Sequence, residues 1–527
     1  MIRDFSQFSK DTLFAIAAGL SLVFAAEPYS IQGLAFAFPV LFALALGGRR
    51  RGALDQAASP KAGDARCDLP SPHRAFFIGL IAGLTMQLGA FAWIPGLLVR
   101  FADFPVVFAW LTASLLYLAQ SLPWALAALF AVTLQRAGIA RLFALGLSLL
   151  VFAYSLPTLF PWRPADVLTS SALPFAQLAE LGGANVVDAA FTLVGLSFLE
   201  LAQVKRPRFF ALVFAASILA PSIYGAARIA SIERAMSAKA PVRVGVIQPN
   251  ISIEEKHDPA FAFKNLDRLK ELSLAVEAEG AEIVLWPESS YPFPISRERT
   301  HDHRGEYSLR PRTLEAPIIA GALTRREGCD RWNSVLAMGS EGEILGVTDK
   351  IVLLAFGEFA PLHALYPEWL KEKVPCPGFL RGDREPTLDV DGVRYGVLNC
   401  YEDLLAFRSR ALSLHGASVL LNFTNDAWFG DTAEPHLHHM VSRLRTIETR
   451  RELIRAVNTG VSAHVSATGR DLIRTGTFVE STFIAEAAPS GRLTLSLILG
   501  DWLRPIFTAA LLALGLLALM RSRYRRL

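Results

Sequence analysis

Three residues in the C-terminal half of the sequence have side chains that can combine in nucleophilic chemistry: Glu288, Lys350 and Cys400. Each follows a short run of β-forming residues, at 282–286, 343–348 and 393–399. A helix beginning after Cys400 would lower the pKa of its thiol and favour the thiolate. A carboxylate can act as a general base, and a fixed ammonium can stabilise an oxyanion. Because strand ends of parallel or mixed sheets meet in one crevice, the three predict a nucleophilic acyl-transfer site.

Each residue taken alone has a plainer interpretation. Taken alone, Cys400 is more often a buried structural cysteine and Lys350 a solvated strand end, and Glu288 is also consistent with an exposed loop. Two neighbouring segments favour the chemical interpretation. Glu358 lies between Gly and Phe residues in a loop that can orient Lys350, and the polar and aromatic run 422–430 follows another strand and suits a pocket wall.

The elements that must position these residues alternate between strands and helices, which is typical of a layered α/β domain. Helices are predicted at 260–279, 403–415 and 434–452. The strand at 282–286 is expected to end at Pro287. The full set of predicted strands is 242–247, 282–286, 317–320, 333–338, 343–348, 393–399, 418–423 and 461–466.

The composition separates the chain into two kinds of region. The 527 residues are 52% hydrophobic and 19% charged, with a mean hydropathy of +0.35, whereas soluble proteins carry about 25% charged residues. Residues 1–230 and 500–521 are apolar, and 240–500 has an ordinary globular composition. The sequence therefore predicts a membrane part and a water-soluble part. The net charge of +4 does not favour a nucleic-acid partner.

Eight apolar runs approach the length of about 20 residues that a helix needs to cross a bilayer. They are 11–27, 31–48, 75–97, 104–134, 141–161, 185–203, 208–228 and 503–521. Basic residues cluster between alternate runs and at the C-terminus, so by the positive-inside rule these connections are expected in the cytoplasm. Both termini then lie inside, and 229–502 lies outside. The basic residues are Arg49, Arg50, Arg51, Lys61, Arg66, Arg74, Arg136, Arg141, Lys205, Arg206, Arg208, Arg521, Arg523, Arg525 and Arg526.

The cysteines and histidines predict no metal site. No C-x-x-C spacing occurs, and a disulfide between Cys329 and Cys376 is open if that region lies in an oxidising compartment. His436, His438 and His439 have the residue type of metal ligands, but no acidic or cysteine partner stands at a matching spacing.

Four segments together resemble the apolipoprotein N-acyltransferase family of the nitrilase superfamily: 286–289 (WPES), 350–358, 399–403 (NCYED) and 422–430. So does 177–183 (QLAELGG) among the apolar runs. The resemblance implies a multi-span helical membrane domain joined to a nitrilase-like αββα domain, with Glu288, Lys350 and Cys400 as the triad. It further implies supporting roles for Glu358, Tyr401 and Glu402, and substrate contacts by His257, Trp286, Phe356, Asn425, Trp428 and Phe429.

Two positions depart from the family pattern. His257 stands where the family has Trp, and Leu354-Ala355 stand where it has Val-Pro. The first puts a substrate contact at His257 in doubt, and the second bears on the mobility of the adjoining loop.

The activity that the resemblance implies is a two-step acyl transfer. A membrane phospholipid would acylate Cys400, and the N-terminal amine of a diacylated apolipoprotein would take the acyl chain. The implied protein is a monomer of the bacterial inner membrane that needs no cofactor. Its expected domains are 1–230 (transmembrane), 231–500 (periplasmic and catalytic) and 501–527 (last helix and cytoplasmic tail).

Two other classes remain open. A membrane-tethered amidase would hydrolyse small C–N substrates in a closed polar pocket and would need no phospholipid. A catalytically idle lipid-binding protein would tolerate Cys400→Ser. The three reactive residues argue against the second class, and the apolar side chains of Phe356, Phe359, Trp428 and Phe429 argue against the first.

Overall fold

The computed structural model describes residues 2–47, 69–203, 207–374 and 376–524. The chain divides into two compact units, one of Met1–Ala230 with Ile498–Leu527 and one of Ser231–Leu497. Several of the basic residues used to predict orientation lie outside the described residues: Arg49, Arg50, Arg51, Lys61, Arg66, Lys205, Arg206, Arg525 and Arg526.

The first unit is built from helices that follow the apolar runs. They are α1 (Ile2–Ala25), α2 (Ala37–Ala45), α3 (Pro72–Ala90), α4 (Ile94–Ala102), α5 (Val106–Arg136), α6 (Arg141–Ser148), α7 (Pro164–Ser171), α8 (Leu173–Ala176), α9 (Ala179–Gly182), α10 (Ala184–Gln203), α11 (Pro207–Ser237) and, near the C-terminus, α18 (Leu503–Tyr524).

Four of these helices are long and apolar enough to cross a membrane: Val106–Arg136, Ala184–Gln203, Pro207–Ser237 and Leu503–Arg521. A fifth span results if Pro72–Ala90 and Ile94–Phe101, which meet at a bend of 53°, are counted together. A helix overlaps each of the eight predicted spans. In the part of the chain that the structure describes, however, only these four or five segments are both long enough and apolar enough to cross a membrane.

The segment 177–183 is packed inside the helical unit. Glu180 is buried, and its carboxylate accepts a hydrogen bond from the Tyr224 hydroxyl and a 2.8 Å hydrogen bond from Arg228, both on α11. A buried carboxylate needs such partners because an unpaired charge among apolar helices is costly. The interaction joins this segment to α11.

The second unit contains two six-stranded sheets. Their strand orders are β12-β1-β2-β3-β4-β5 and β11-β10-β9-β8-β7-β6. Both sheets are mixed, with β1 parallel to β2, β2 to β3, β7 to β8 and β8 to β9. The strands are β1 (Val242–Gln248), β2 (Ile283–Ser296), β3 (Ile318–Arg325), β4 (Arg331–Met338), β5 (Ile344–Asp349), β6 (Thr387–Val390), β7 (Val393–Asn399), β8 (Val419–Thr424), β9 (Leu453–Val457), β10 (Ala463–Val465), β11 (Asp471–Arg474) and β12 (Ser481–Ala487).

The two sheets pack face to face with helices outside them. Along β2, Ile283 and Leu285 enter the core between the sheets, whereas Val284 and Trp286 enter the core beneath the outer helix, because successive side chains of a strand point to opposite faces. The result is the four-layer αββα arrangement. The helices of this unit are α12 (Ile253–His257), α13 (Ala262–Ala278), α14 (Glu368–Lys373), α15 (Ala406–Leu414), α16 (Glu434–Thr449) and α17 (Leu495–Leu499).

The strand β2 corrects one prediction. It continues through Pro287 to Ser296 instead of ending at Pro287. The pairing of β2 with β3 shifts register between Trp286 and Tyr291, so the proline lies where the regular ladder is interrupted and a missing N–H is tolerated. Four strands were absent from the prediction: β6, β9, β11 and β12.

Candidate active site

Strand ends bring together the polar side chains singled out in the sequence. Lys350 follows β5 and Cys400 follows β7, while Glu288 lies in the irregular part of β2. The Lys350 Nζ is 3.7 Å from the Glu288 Oε1. Cys400 is close enough for both charges to act on the pKa of its thiol. An acid, an ammonium and a thiol therefore share one site in the second unit.

Glu288 is 7% exposed and is held by two hydrogen bonds. Its Oε1 accepts from the side-chain amide of Asn333 at 2.7 Å, and its Oε2 accepts from the backbone N–H of Asn425 at 3.1 Å. On its other side the backbone passes Gly321, where a Cβ atom would lie 2.4 Å from the Pro287 carbonyl oxygen. These contacts fix the direction in which the carboxylate points.

Lys350 is 2% exposed and pairs most closely with Glu358, with its Nζ 2.9 Å from that carboxylate. Burial by itself lowers the pKa of Lys350. The negative charges of Glu358, Cys400 and Glu288 outweigh burial and raise the pKa above its usual value. The Lys350 side chain is therefore a permanent cation suited to stabilise an oxyanion.

Cys400 is partly exposed and begins a 3₁₀ helix, Cys400–Leu404, with a φ of 50°. Burial of the thiol and the Glu288 carboxylate raise its pKa well above the usual value, although the Lys350 ammonium opposes them. The net pKa of the thiol is therefore raised by burial and by the Glu288 carboxylate, whereas the sequence led us to expect a lowered pKa from a following helix; the turn after Cys400 is a short 3₁₀ helix. The thiol of Cys400 therefore lies beside a base that can take its proton.

Glu402 is fully buried and fastens the segment after Lys350 to the turn of the nucleophile. Its Oε1 accepts hydrogen bonds from the backbone N–H groups of Ile351 and Val352, both at 2.9 Å, and its Oε2 accepts from the backbone of Asn399 at 3.0 Å. Glu402 is thus a positioning residue. Tyr401 is half-buried, and its burial raises the pKa of its phenol.

Two residues predicted to contact substrate, Trp286 and Asn425, are buried and form hydrogen bonds within the protein. Trp286 is fully buried, and its indole N–H donates to the Ser273 Oγ at 2.8 Å. The prediction of a substrate contact is wrong for Trp286, because its place in the strand directs it into the core. Asn425 is 3% exposed; its backbone holds Glu288 and its side-chain oxygen accepts from Asn458 at 2.9 Å.

The other four predicted contacts have accessible side chains. Phe356 is 80% exposed. The exposed His257 and the half-buried Trp428 have ring centroids 5.0 Å apart, and Phe429 is half-buried. These side chains are available to a substrate, and their contact with one stays a prediction.

Two residues of the site were absent from the prediction. Asn333 donates to Glu288 and also, at 3.1 Å, to Glu358. Lys256 donates from its Nζ to the Glu288 carbonyl at 3.1 Å and to the Ser289 Oγ at 2.9 Å. A polar residue inside the apolar strand 331–338 was the available signal for Asn333, whereas Lys256 lies far from the triad in sequence.

The histidines have acidic neighbours, contrary to the expectation. His438 lies beside Asp403, Asp426 and Glu434, and the His439 Nε2 is 3.0 Å from Asp471. Asp403, Asp426 and Asp471 come from other parts of the chain, and Glu434 from the preceding turn of the same helix, so the expectation of no acidic partner is wrong.

Cys329 and Cys376, for which the sequence left a disulfide open, are bonded to each other in the structure. Cys329 lies in the turn between β3 and β4, and Cys376 follows α14, 47 residues later. The bond joins that turn to the C-terminal side of the segment that contains Glu358.

Comparison with known proteins gives two family matches that together cover most of the chain. Residues 18–197 match the apolipoprotein N-acyltransferase N-terminal domain, and residues 243–491 match the carbon-nitrogen hydrolase family. An apolipoprotein N-acyltransferase of Bradyrhizobium diazoefficiens is 30% identical, over 98% of this chain and 95% of the relative. The chain belongs to the apolipoprotein N-acyltransferase family.

Further relatives in this family are similar over most of their length. The apolipoprotein N-acyltransferase of Rhizobium rhizogenes is 31% identical over 90% of this chain and 89% of its own, and that of Geobacter metallireducens is 28% identical over 80% and 82%. Among solved structures, an amidase from Nesterenkonia sp. is 18% identical over 47% of this chain and 91% of its own, with a TM-score of 0.35. The carbon-nitrogen hydrolase match contains Glu288, Lys350 and Cys400.

Proposed function

We propose that this protein transfers an acyl chain from a membrane phospholipid to the N-terminal amine of diacylated apolipoproteins, through a thioester on Cys400. The observation that carries the proposal is the meeting of Glu288 and Lys350, 3.7 Å apart, beside the Cys400 thiol in a member of this family. This combination supplies a base, an oxyanion partner and a nucleophile.

In the first step the Cys400 thiol passes its proton to Glu288, and the sulfur attacks the ester carbonyl of the phospholipid. Negative charge develops on the carbonyl oxygen, where the Lys350 ammonium stabilises it. The ester C–O bond breaks, and Glu288 returns the proton to the departing oxygen. A lysophospholipid leaves, and the acyl chain remains on sulfur.

In the second step the α-amine of the diacylglyceryl-cysteine attacks the thioester carbonyl. Glu288 takes a proton from the amine, Lys350 again stabilises the oxyanion, and the C–S bond breaks. The proton passes to the departing sulfur and restores the thiol. The product carries an amide-linked third acyl chain, and no cofactor takes part.

The lipid nature of both substrates implies the placement of the chain. In this proposal residues 1–230 and 501–527 cross the bacterial inner membrane eight times, with both termini in the cytoplasm. Residues 231–500 then lie on the periplasmic side, and the protein acts as a monomer. Four or five of the described helices are long and apolar enough to cross a membrane and support a membrane placement. The basic residues Arg136, Arg141 and Arg208 support the proposed orientation.

Acyl chains need apolar contacts near the thioester. We assign this role to Phe356, Trp428 and Phe429, whose side chains are exposed or half-buried in the second unit. His257 stacks against Trp428 at a centroid distance of 5.0 Å and completes this group.

The test is intact mass spectrometry of the purified full-length protein incubated with phospholipid. We expect one acyl mass on Cys400 that disappears when a diacylated lipopeptide is added, with an N-acylated lipopeptide as product. Cys400→Ala and Glu288→Gln should carry no thioester. A wild-type protein that stays free of acyl mass while it hydrolyses simple amides would instead support the tethered-amidase alternative.

A further inference from the structure

A second cluster of polar side chains lies beside the triad and has no part in the acyl-transfer steps. Asp426 begins the 3₁₀ helix Asp426–Phe429 after β8, and Glu434 and His438 stand one turn apart at the start of α16. One ligand atom from each of the three lies within 4.8 Å of the other two. The three residues are 0%, 8% and 5% exposed, respectively.

Four side-chain atoms of this cluster make no hydrogen bonds. Both carboxylate oxygens of Asp426, the Oε2 of Glu434 and the Nδ1 of His438 are buried without a hydrogen-bond partner. Leaving such an atom unsatisfied is costly, and more so for a charged group. Because one ligand atom from each of the three residues lies near the other two, the cluster indicates a group that all three residues can bind.

A further acid fixes the direction of the imidazole. The Asp403 Oδ1 accepts from the His438 Nε2 at 2.8 Å, and the other oxygen of Asp403 pairs with the buried Arg455. With its proton on Nε2, His438 presents the lone pair of Nδ1 to Asp426 and Glu434. A carboxylate that orients a histidine in this way is the usual support of a metal-binding imidazole.

The spacing of the ligand atoms fits a small divalent cation. The His438 Nδ1 is 3.4 Å from the Asp426 Oδ1 and 3.7 Å from the Glu434 Oε1. Tetrahedral Zn²⁺ with ligands at about 2.0–2.1 Å separates neighbouring ligand atoms by about 3.3–3.4 Å. The charges also fit, because Arg455 balances Asp403 and leaves two carboxylates for a doubly charged ion.

We propose that Asp426, Glu434 and His438 bind a divalent cation of the zinc class. The ion ties the turn after β8 to α16, and His438 passes this restraint through Asp403 to the turn that begins at Cys400. The neighbouring Asn425 holds Glu288 through its backbone N–H. The ion therefore positions the segments on both sides of the nucleophile without touching substrate.

The alternative occupant of the same space is a proton on the His438 Nδ1. An imidazolium there would face both carboxylates and remove the need for a metal. Metal binding releases that proton, so the two alternatives are exclusive and can be told apart by metal content.

The test measures zinc bound to the full-length protein by equilibrium dialysis against Zn²⁺ and elemental mass spectrometry. We expect one zinc per chain, lost in Glu434→Gln and weakened about 10- to 100-fold in Asp403→Asn. Glu452→Gln is the matched control, since it alters another buried glutamate, 2.9 Å from His464, in the same unit. That variant should bind zinc as the wild type does.

A second measurement does not depend on how the variants fold. A chelator should lower the melting temperature of the wild type, and added Zn²⁺ should restore it. A wild-type protein that binds no zinc at saturation would overturn the proposal in favour of the proton. A Glu434→Gln variant that binds zinc as well as the wild type would also overturn it, because the ion would then lie elsewhere. The zinc measurements do not depend on whether Cys400 is acylated by phospholipid. The metal proposal and the proposed acyl transfer can therefore be rejected independently of each other.

Discussion

The side-chain amide of Asn333 donates to the carboxylate of Glu288 at 2.7 Å. The same nitrogen is 3.1 Å from the Glu358 carboxylate. One neutral amide thus stands between two carboxylates that both face the Lys350 ammonium. Because an amide nitrogen carries two hydrogens, it can serve both acids without adding charge. Asn333 therefore lets two like charges share one cation in a small volume.

Asn333→Ala tests this relationship. The change leaves Glu288 without its closest donor, which costs about 1–3 kcal/mol. If the whole cost falls on the transition state, the rate of Cys400 acylation drops roughly 5- to 150-fold. Single-turnover mass spectrometry with phospholipid measures that rate. Asn265→Ala, at a buried asparagine of α13, is the control and should acylate at the wild-type rate. Equal rates for both variants would show that the amide does not position the base.

Gly321→Ala should displace Glu288 without removing any polar side chain. The added Cβ would lie 2.4 Å from the Pro287 carbonyl oxygen and 2.6 Å from the Glu288 Cα, so the backbone of β2 must move. Overpacking of this kind costs about 1–3 kcal/mol. We expect slower acylation together with a lower melting temperature. Gly491→Ala, where no atom lies within 4 Å of the added Cβ, should change neither quantity. An unchanged acylation rate in Gly321→Ala would contradict the close approach.

Lys256 gives the stability of the protein a predictable pH dependence. Burial lowers its pKa to about 8, against the opposing charges of Glu288 and Cys400, whereas an unfolded lysine titrates near about 10.4. Between these values the unfolded chain binds more protons, so this residue makes the folded state more stable as pH rises. Relative to Lys256→Met, the wild type should therefore gain stability from about pH 8 to about pH 10. Below about pH 7 the difference should be constant.

Melting temperatures of the two proteins across this pH range measure the effect. Lys264→Met, at a lysine with a 66% exposed side chain, is the control and should follow the wild type at every pH. A wild-type advantage that does not change between neutral and alkaline pH would mean that Lys256 is not held among buried groups.

The disulfide between Cys329 and Cys376 should stabilise the second unit. It closes a loop over a sequence separation of 47 residues, and removal of a native disulfide typically costs about 2–5 kcal/mol. The double variant Cys329→Ser, Cys376→Ser should melt at a lower temperature than the wild type. A reductant should lower the melting temperature of the wild type and leave that of the double variant unchanged. Free thiols at both positions in protein taken directly from the membrane would argue against an oxidising compartment for this unit.

Much of the architecture could be predicted because hydrophobic patterns are local. The apolar runs and the β-forming residues of β1, β7 and β8 indicated helices and buried strands close to those in the structure. The missed strands lacked such a pattern: β12 is largely half-buried at a sheet edge, and β9 contains the buried charge of Arg455. These segments become strands because they pair with distant parts of the chain, as β12 pairs with β1 in antiparallel register.

The sequence by itself indicated the division into apolar and globular regions, the αββα class and the three candidate reactive residues, since these depend on residue type, period and motif. Only the tertiary structure decided what surrounds them. It placed Asn333 between two acids, turned Trp286 into the core and raised the pKa of Cys400. It also gathered Asp403, Asp426 and Glu434 around His438. The physical reason is that electrostatic and hydrogen-bonding environments depend on distances across the fold, and separation along the chain does not record those distances.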